Sequence, residues 1–149
     1  MRRHFLFMIL SALLAGSAVQ AADVKEGVNP YGKMLKGESV EIEMAIFNQK
    51  NEHGLNDVLL KMTGAAAHEE GIDGKVLKYT VSHGGTGLDF KIKKDGADFN
   101  RMSSRKAWGA WDQMTVYLGD KSIAVSVDDK ESKKVKPAGL LTEFKNSNK

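Results

Sequence analysis

The chain has 149 residues, no cysteine, 28% charged residues and a formal charge of +3. That length bounds it to a single domain of ordinary size, and the lack of cysteine excludes disulfides, thiol nucleophiles and thiolate metal sites. Setting Arg2 and Arg3 aside as part of a leader brings the charge to +1, although lysines still crowd residues 130–149; that basic end is read as a solvated surface, and a chain that carries a leader is not expected to have nucleic acid as a routine partner.

The leader comes first. Arg2, Arg3 and His4 form a basic start, Phe5–Leu14 is apolar, and Ser17–Ala21 is small and ends in Val19-Gln20-Ala21. That order is the pattern of a secretory signal peptide, with cleavage expected after Ala21. The apolar stretch is shorter than the roughly 20 residues a spanning helix needs, so the expected product, residues 22–149, is soluble and has no transmembrane segment. A cysteine-free chain in an oxidising compartment points to a bacterial periplasm, and so to a Gram-negative envelope.

Residues 22–37, with the turn Asn29-Pro30-Tyr31-Gly32, read as an irregular lead-in. In Glu38–Asn48 the residues Val40, Ile42, Met44 and Ile46 alternate with Glu41, Glu43 and Ala45, the pattern of a strand with one buried face. Gln49–Gly54 is a polar loop. Leu55–Thr63 admits a helix capped by Asn56 or Asp57, but Gly64 would stop it after about two turns, and a strand suits the length better. Gly64–Gly74 is a long connection whose three alanines predict one helical turn.

Lys75–Ser82, Leu88–Lys93, Ala97–Ser103, Met114–Leu118 and Ser122–Asp128 read as successive strands. Asp95-Gly96 and Gly119-Asp120 are hairpin turns. Leu88, Phe90 and Ile92 share one face, as do Ile123, Val125 and Val127. After a charged stretch, Pro137 opens a short helix carrying Leu140, Leu141 and Phe144, expected to lie over an open end of the sheet. The fold predicted is all-β: an antiparallel meander forming a β-sandwich or partly open barrel, with a short C-terminal helix.

Enzyme signatures are nearly absent. There is no nucleophile elbow and no phosphate-binding loop, and Gly84, Gly85 and Gly87 lie between strands without the helix a dinucleotide site requires. His68-Glu69-Glu70 starts like a zinc-protease motif but has Ile72 where the second histidine belongs. No cofactor and no metal are expected. Three histidines lie beyond the leader: His53, His68 and His83.

If the strands run up and down in order, alternate loops share an end. His53 and His83 then fall together, with His68 opposite. The loop before Met114, carrying Arg105, Lys106, Trp108 and Trp111, joins the end of His53 and His83. Tryptophan and arginine are favoured at binding hot spots, so this end is the expected partner surface. One or both tryptophans serving as core caps is the plainer alternative. The function expected is a periplasmic, non-catalytic binding protein of the inhibitor or immunity type, with a protein partner in the cell envelope. A small-molecule or metal carrier using His53, His83 and Glu52 is one alternative. A hydrolase with unplaced catalytic carboxylates is another.

Overall fold

The computed structural model describes residues 27–105 and 113–149. The expected signal peptide at residues 1–21, and Lys106, Trp108 and Trp111, lie outside the described residues. The described strands form a closed antiparallel barrel in chain order. They are β1 (Lys33–Gly37), β2 (Val40–Lys50), β3 (Asn56–Thr63), β4 (Val76–Gly84), β5 (Gly87–Lys94), β6 (Ala97–Arg105), β7 (Gln113–Leu118) and β8 (Lys121–Val127). Helix α1 (Ala65–Glu69) joins β3 to β4, and α2 (Asp129–Ser132) and α3 (Pro137–Ser147) follow β8.

Alternation decides which side chains enter the barrel. Along β2, Val40, Ile42 and Met44 are buried in the interior while Glu41 is exposed on the outside. Val58, Leu60 and Met62 on β3, Tyr79 and Val81 on β4, and Phe90 on β5 continue the same core. Met102, Val116 and Val125 complete it. An eight-stranded barrel is just wide enough for side chains to fill, and Ile42, Met44, Tyr79 and Phe90 are each at most 1% exposed. Apolar side chains inside and charged ones outside is the reverse of a barrel that faces lipid. Among the described residues no helix is long and apolar enough to cross a membrane.

The Asp95-Gly96 turn has φ of 52° and 79°. Two left-handed residues in succession match the right-handed twist of the flanking strands, which is why an Asp-Gly pair sits there.

Two sequence expectations are corrected. Residues 22–37 were expected to be irregular, yet Lys33–Gly37 is a strand. Leu35 is its one fully buried residue, pairing with Ile42 on one side and Val127 on the other. A five-residue strand with one buried side chain shows too little alternation to be read, and its conformation is set by neighbours on both flanks. Those two pairings close the sheet.

The second concerns the C-terminal helix, which lies on the barrel wall and not over an end. Ala45, Phe47, Leu59 and Val76 form an apolar patch separate from the interior core, and Leu140 of α3 is buried against it with Val135. Leu141 and Phe144 pack at its margin. The patch exists because apolar residues occupy outward positions of β2, β3 and β4, so the helix covers the wall that would otherwise be wet. Helix α2 ties this region to β1: Asp128 caps it through the Glu131 amide at 3.0 Å, and the Met34 amide donates to Ser132 Oγ at 2.8 Å. The Glu131 bond, with Lys36 nearby, holds the Asp128 carboxyl below its ordinary range.

Candidate functional site

An up-and-down barrel sorts its connections by parity. The β1–β2, β3–β4, β5–β6 and β7–β8 connections meet at one end, with α1 among them. The β2–β3 and β4–β5 connections meet at the other, where β6 stops at Arg105 and β7 begins at Gln113.

At the α1 end, Ala66 and Ala67 are buried as part of the barrel core. The Ala66 amide donates to the Ser39 carbonyl in the β1–β2 turn, and a side chain at Gly64 would collide with Ser39 backbone. Glu69 reaches Lys121 at 2.8 Å. Glu70 is central: its Oε1 accepts from Lys94 at 2.9 Å and from Arg101 at 3.1 Å. The Arg101 side chain is 4% exposed, also donates to the Tyr117 carbonyl at 3.0 Å, and lies over the Phe99 ring. Lys94 first, then Arg101, hold the Glu70 carboxyl below its ordinary value against the burial that would raise it. Burial pushes the Tyr79 phenol up, with Arg101 opposing.

Arg101 sits at a β-bulge. Phe90 and Ile92 are two apart on β5, but their partners Met102 and Phe99 are three apart on β6. The extra residue re-aims the strand. Sequence reading missed this cluster; the odd spacing of Phe99 and Met102 in an otherwise alternating run was its one local signal.

At the opposite end, β3 and β4 part beyond the Val58–Tyr79 pair. Asn51 and Asp57 fill the gap. Asn51 Nδ2 donates to Asp57 Oδ1 at 2.7 Å and to the Val81 carbonyl at 2.8 Å, and the Val81 amide donates to Asp57 Oδ1 at 3.2 Å. Asn51 Oδ1 accepts from the His53 and Leu55 amides at 2.9 and 3.2 Å. One asparagine therefore both replaces the missing ladder and fixes the loop that presents His53.

His53 and His83 line the same open groove of about 900 Å³ on the outer face of β3, β4 and β5. Its walls and floor include Asp57, Lys78, Ser82 and Lys91. His53 Nε2 stands 3.5 Å from Glu52, and the groove continues to Lys93 and Asp98, which pair at 2.7 Å. Arg105 is exposed on β6 at this end, opposite Gly87 in the register, but is not among the groove's lining residues. Of the predicted site residues, then, His53 and His83 share a surface and Arg105 stands beside the β4–β5 turn. Lys106, Trp108 and Trp111 lie outside the described residues. His68 is exposed on α1 at the far end.

Glu52, His53 and His83 do not make a metal cage: among the described residues no group of three or more His, Asp or Glu side chains could hold an ion. The groove's polar floor escaped sequence reading because Thr80, Ser82 and Lys91 occupy outward positions that look like any wet face. In three comparisons, with protein-family models, with curated proteins and with solved structures, the chain has no match.

Proposed function

We propose that the protein is an exported, non-catalytic binding protein of the bacterial periplasm. On this reading it captures another protein of the cell envelope at the His53–His83 end, as an inhibitor or immunity-type protein does. The observation that carries the reading is the contrast between inside and outside. The barrel interior is filled by side chains such as Tyr79, Phe90 and Met102, while the groove with His53 and His83 is open, polar and on the outer wall. The space offered to a partner is a surface, which suits a protein better than an enclosed small molecule.

The test is affinity capture from a periplasmic extract with the purified protein as bait. A specific partner retained by the native chain and by Glu69→Ala, but lost with His53→Ala combined with Arg105→Ala, is the expected result. Loss that follows Glu69→Ala instead would place the interface at the α1 end and overturn the reading.

A further inference from the structure

We propose that the wall carrying Tyr31 and Lys133 is a peripheral membrane surface, which rests on an anionic phospholipid bilayer. It is separate from the groove of His53 and His83 and goes beyond the function proposed above.

Tyr31 is 82% exposed, the one large hydrophobic side chain so placed among the described residues. The backbone puts it there. The Asn29 amide donates to the Ile46 carbonyl and Lys33 pairs with Met44, so Pro30, Tyr31 and Gly32 stand together opposite the single residue Ala45 on β2. Three residues against one push the segment out from the wall. The Tyr31 amide donates to Asn29 Oδ1 at 2.9 Å, and Gly32 packs so closely on Val135 and the Met44 carbonyl that a side chain there would collide. The ring is thus held outward on a braced turn, and little ordering is left for a contact to impose.

Beside the ring lies positive charge. Lys133 lines the same shallow hollow as Tyr31, with Pro30, Ser132 and Val135, and no carboxylate is among the lining residues. Lys130, Lys133 and Lys136 are all exposed and make no ion pair among the described residues. The acids of the same segment are largely engaged: Asp128 caps α2 and faces Lys36 at 3.5 Å, and Glu131 takes Lys134 at 2.9 Å. Asp129 alone is left against the three lysines. The chain beyond the expected leader is almost neutral, so its net charge by itself would not hold it on a negative surface.

The pairing of residue types selects the occupant. Tyrosine is favoured in protein interfaces, but lysine is depleted there. Both belong at the surface of a bilayer, where the tyrosine ring lies at headgroup level and lysines meet anionic lipid with their stems on apolar material. Among the described residues no helix is built to insert, so the contact is peripheral and is weakened by salt.

The test is co-sedimentation of the purified protein with vesicles of mixed phosphatidylglycerol and phosphatidylcholine at low salt, against vesicles of phosphatidylcholine alone. The native chain should pellet with the anionic vesicles only, and high salt should release it. Lys133→Gln should weaken binding about fivefold, the worth of one lysine at such a surface. Tyr31→Ala should also weaken it and Tyr31→Phe should retain it, with the melting temperature unchanged in both because the side chain is exposed. Lys75→Gln makes the same charge change at an exposed lysine just before β4 and should leave binding intact. Absence of binding to anionic vesicles overturns the proposal. So does binding that Tyr31→Ala and Lys133→Gln leave intact, as a retained leader would give, or a loss with Lys75→Gln as large as with Lys133→Gln. Retention on immobilised hexaglutamate but not on anionic vesicles would make the occupant an acidic protein segment instead. Partner capture at the His53–His83 end stands or falls separately from all of these outcomes.

Discussion

The two ends of the barrel face the same problem and answer it with different chemistry. At each, two neighbouring strands part before the sheet ends, and a side-chain cluster takes over from the backbone ladder. Between β6 and β7 it is charge: Arg101 bonds the Tyr117 carbonyl and is neutralised by Glu70 from the α1 connection. Between β3 and β4 it is an amide and a carboxylate, Asn51 and Asp57, which reproduce the lost backbone bonds around Val81. The charged cluster has Arg101 and Glu70 largely buried at its centre, with the more exposed Lys94, Lys121 and Glu69 extending it across three connections. The amide cluster lies at the edge of an open groove and also holds the His53 loop. One end is sealed by interactions that are costly to break; the other is held just firmly enough to present a surface. On the function proposed above, stability and recognition are assigned to opposite ends.

That division can be broken most forcefully at Glu70. Glu70→Ala leaves the Arg101 charge buried without its partner, and loss of one member of such a pair costs about 3 kcal/mol or more. Chemical denaturation should register this as a lowered midpoint, whereas an unchanged midpoint would mean that α1 does not seal the barrel. Asn51→Ala comes next. It removes the bonds to Asp57 and to the Val81 carbonyl, together with the acceptor for the His53 and Leu55 amides. A loss of about 2 kcal/mol is expected from unsatisfied groups of this kind. Faster amide exchange confined to Val81 and the His53 loop would separate this from a global effect.

Acid gives a milder, graded probe of the sealed end. The Glu70 carboxyl titrates below its ordinary value of 4.5 when folded. The stability it contributes is therefore complete above that value and is lost as the pH falls through the lower, folded one. Melting temperature in native protein should drop over that acidic window more than in Glu70→Gln, and parallel curves would count against the pair. The smallest stability change belongs to the other end. His53→Ala and Arg105→Ala touch exposed side chains and should each alter stability by about 0.5 kcal/mol or less, even where partner capture is abolished.

Much of the wall of the barrel could be read from alternation alone. Val40, Ile42 and Met44, or Leu88, Phe90 and Ile92, each declare an inward face because a period of two has one physical cause. The shared groove of His53 and His83 was half legible: loop parity places both at one end, but only the register of β4 on β5 reveals Ser82 and Lys91 beneath them. Arg101 and Glu70 were not legible. An arginine inside a strand reads as an outward residue; the odd spacing of Phe99 and Met102 marks a bulge, but nothing local says that it turns Arg101 toward a glutamate far away in sequence. Lys33–Gly37 stayed hidden for a related reason, since Leu35 takes its place from Ile42 and Val127 and not from its own neighbours.

The seam between β1 and β8 has a consequence for how the chain reaches this shape. Leu35 on the first strand meets Val127 on the last, so the barrel's last joint is also its longest-range strand pairing. Hairpins from β2 onward can form as local units, but closure waits for β8, and non-local pairings of this kind are slow to form. A chain that lost either β1 or β8 would keep the hairpins between them but could not shut the barrel, so its integrity depends on segments at both flanks of the sheet at once.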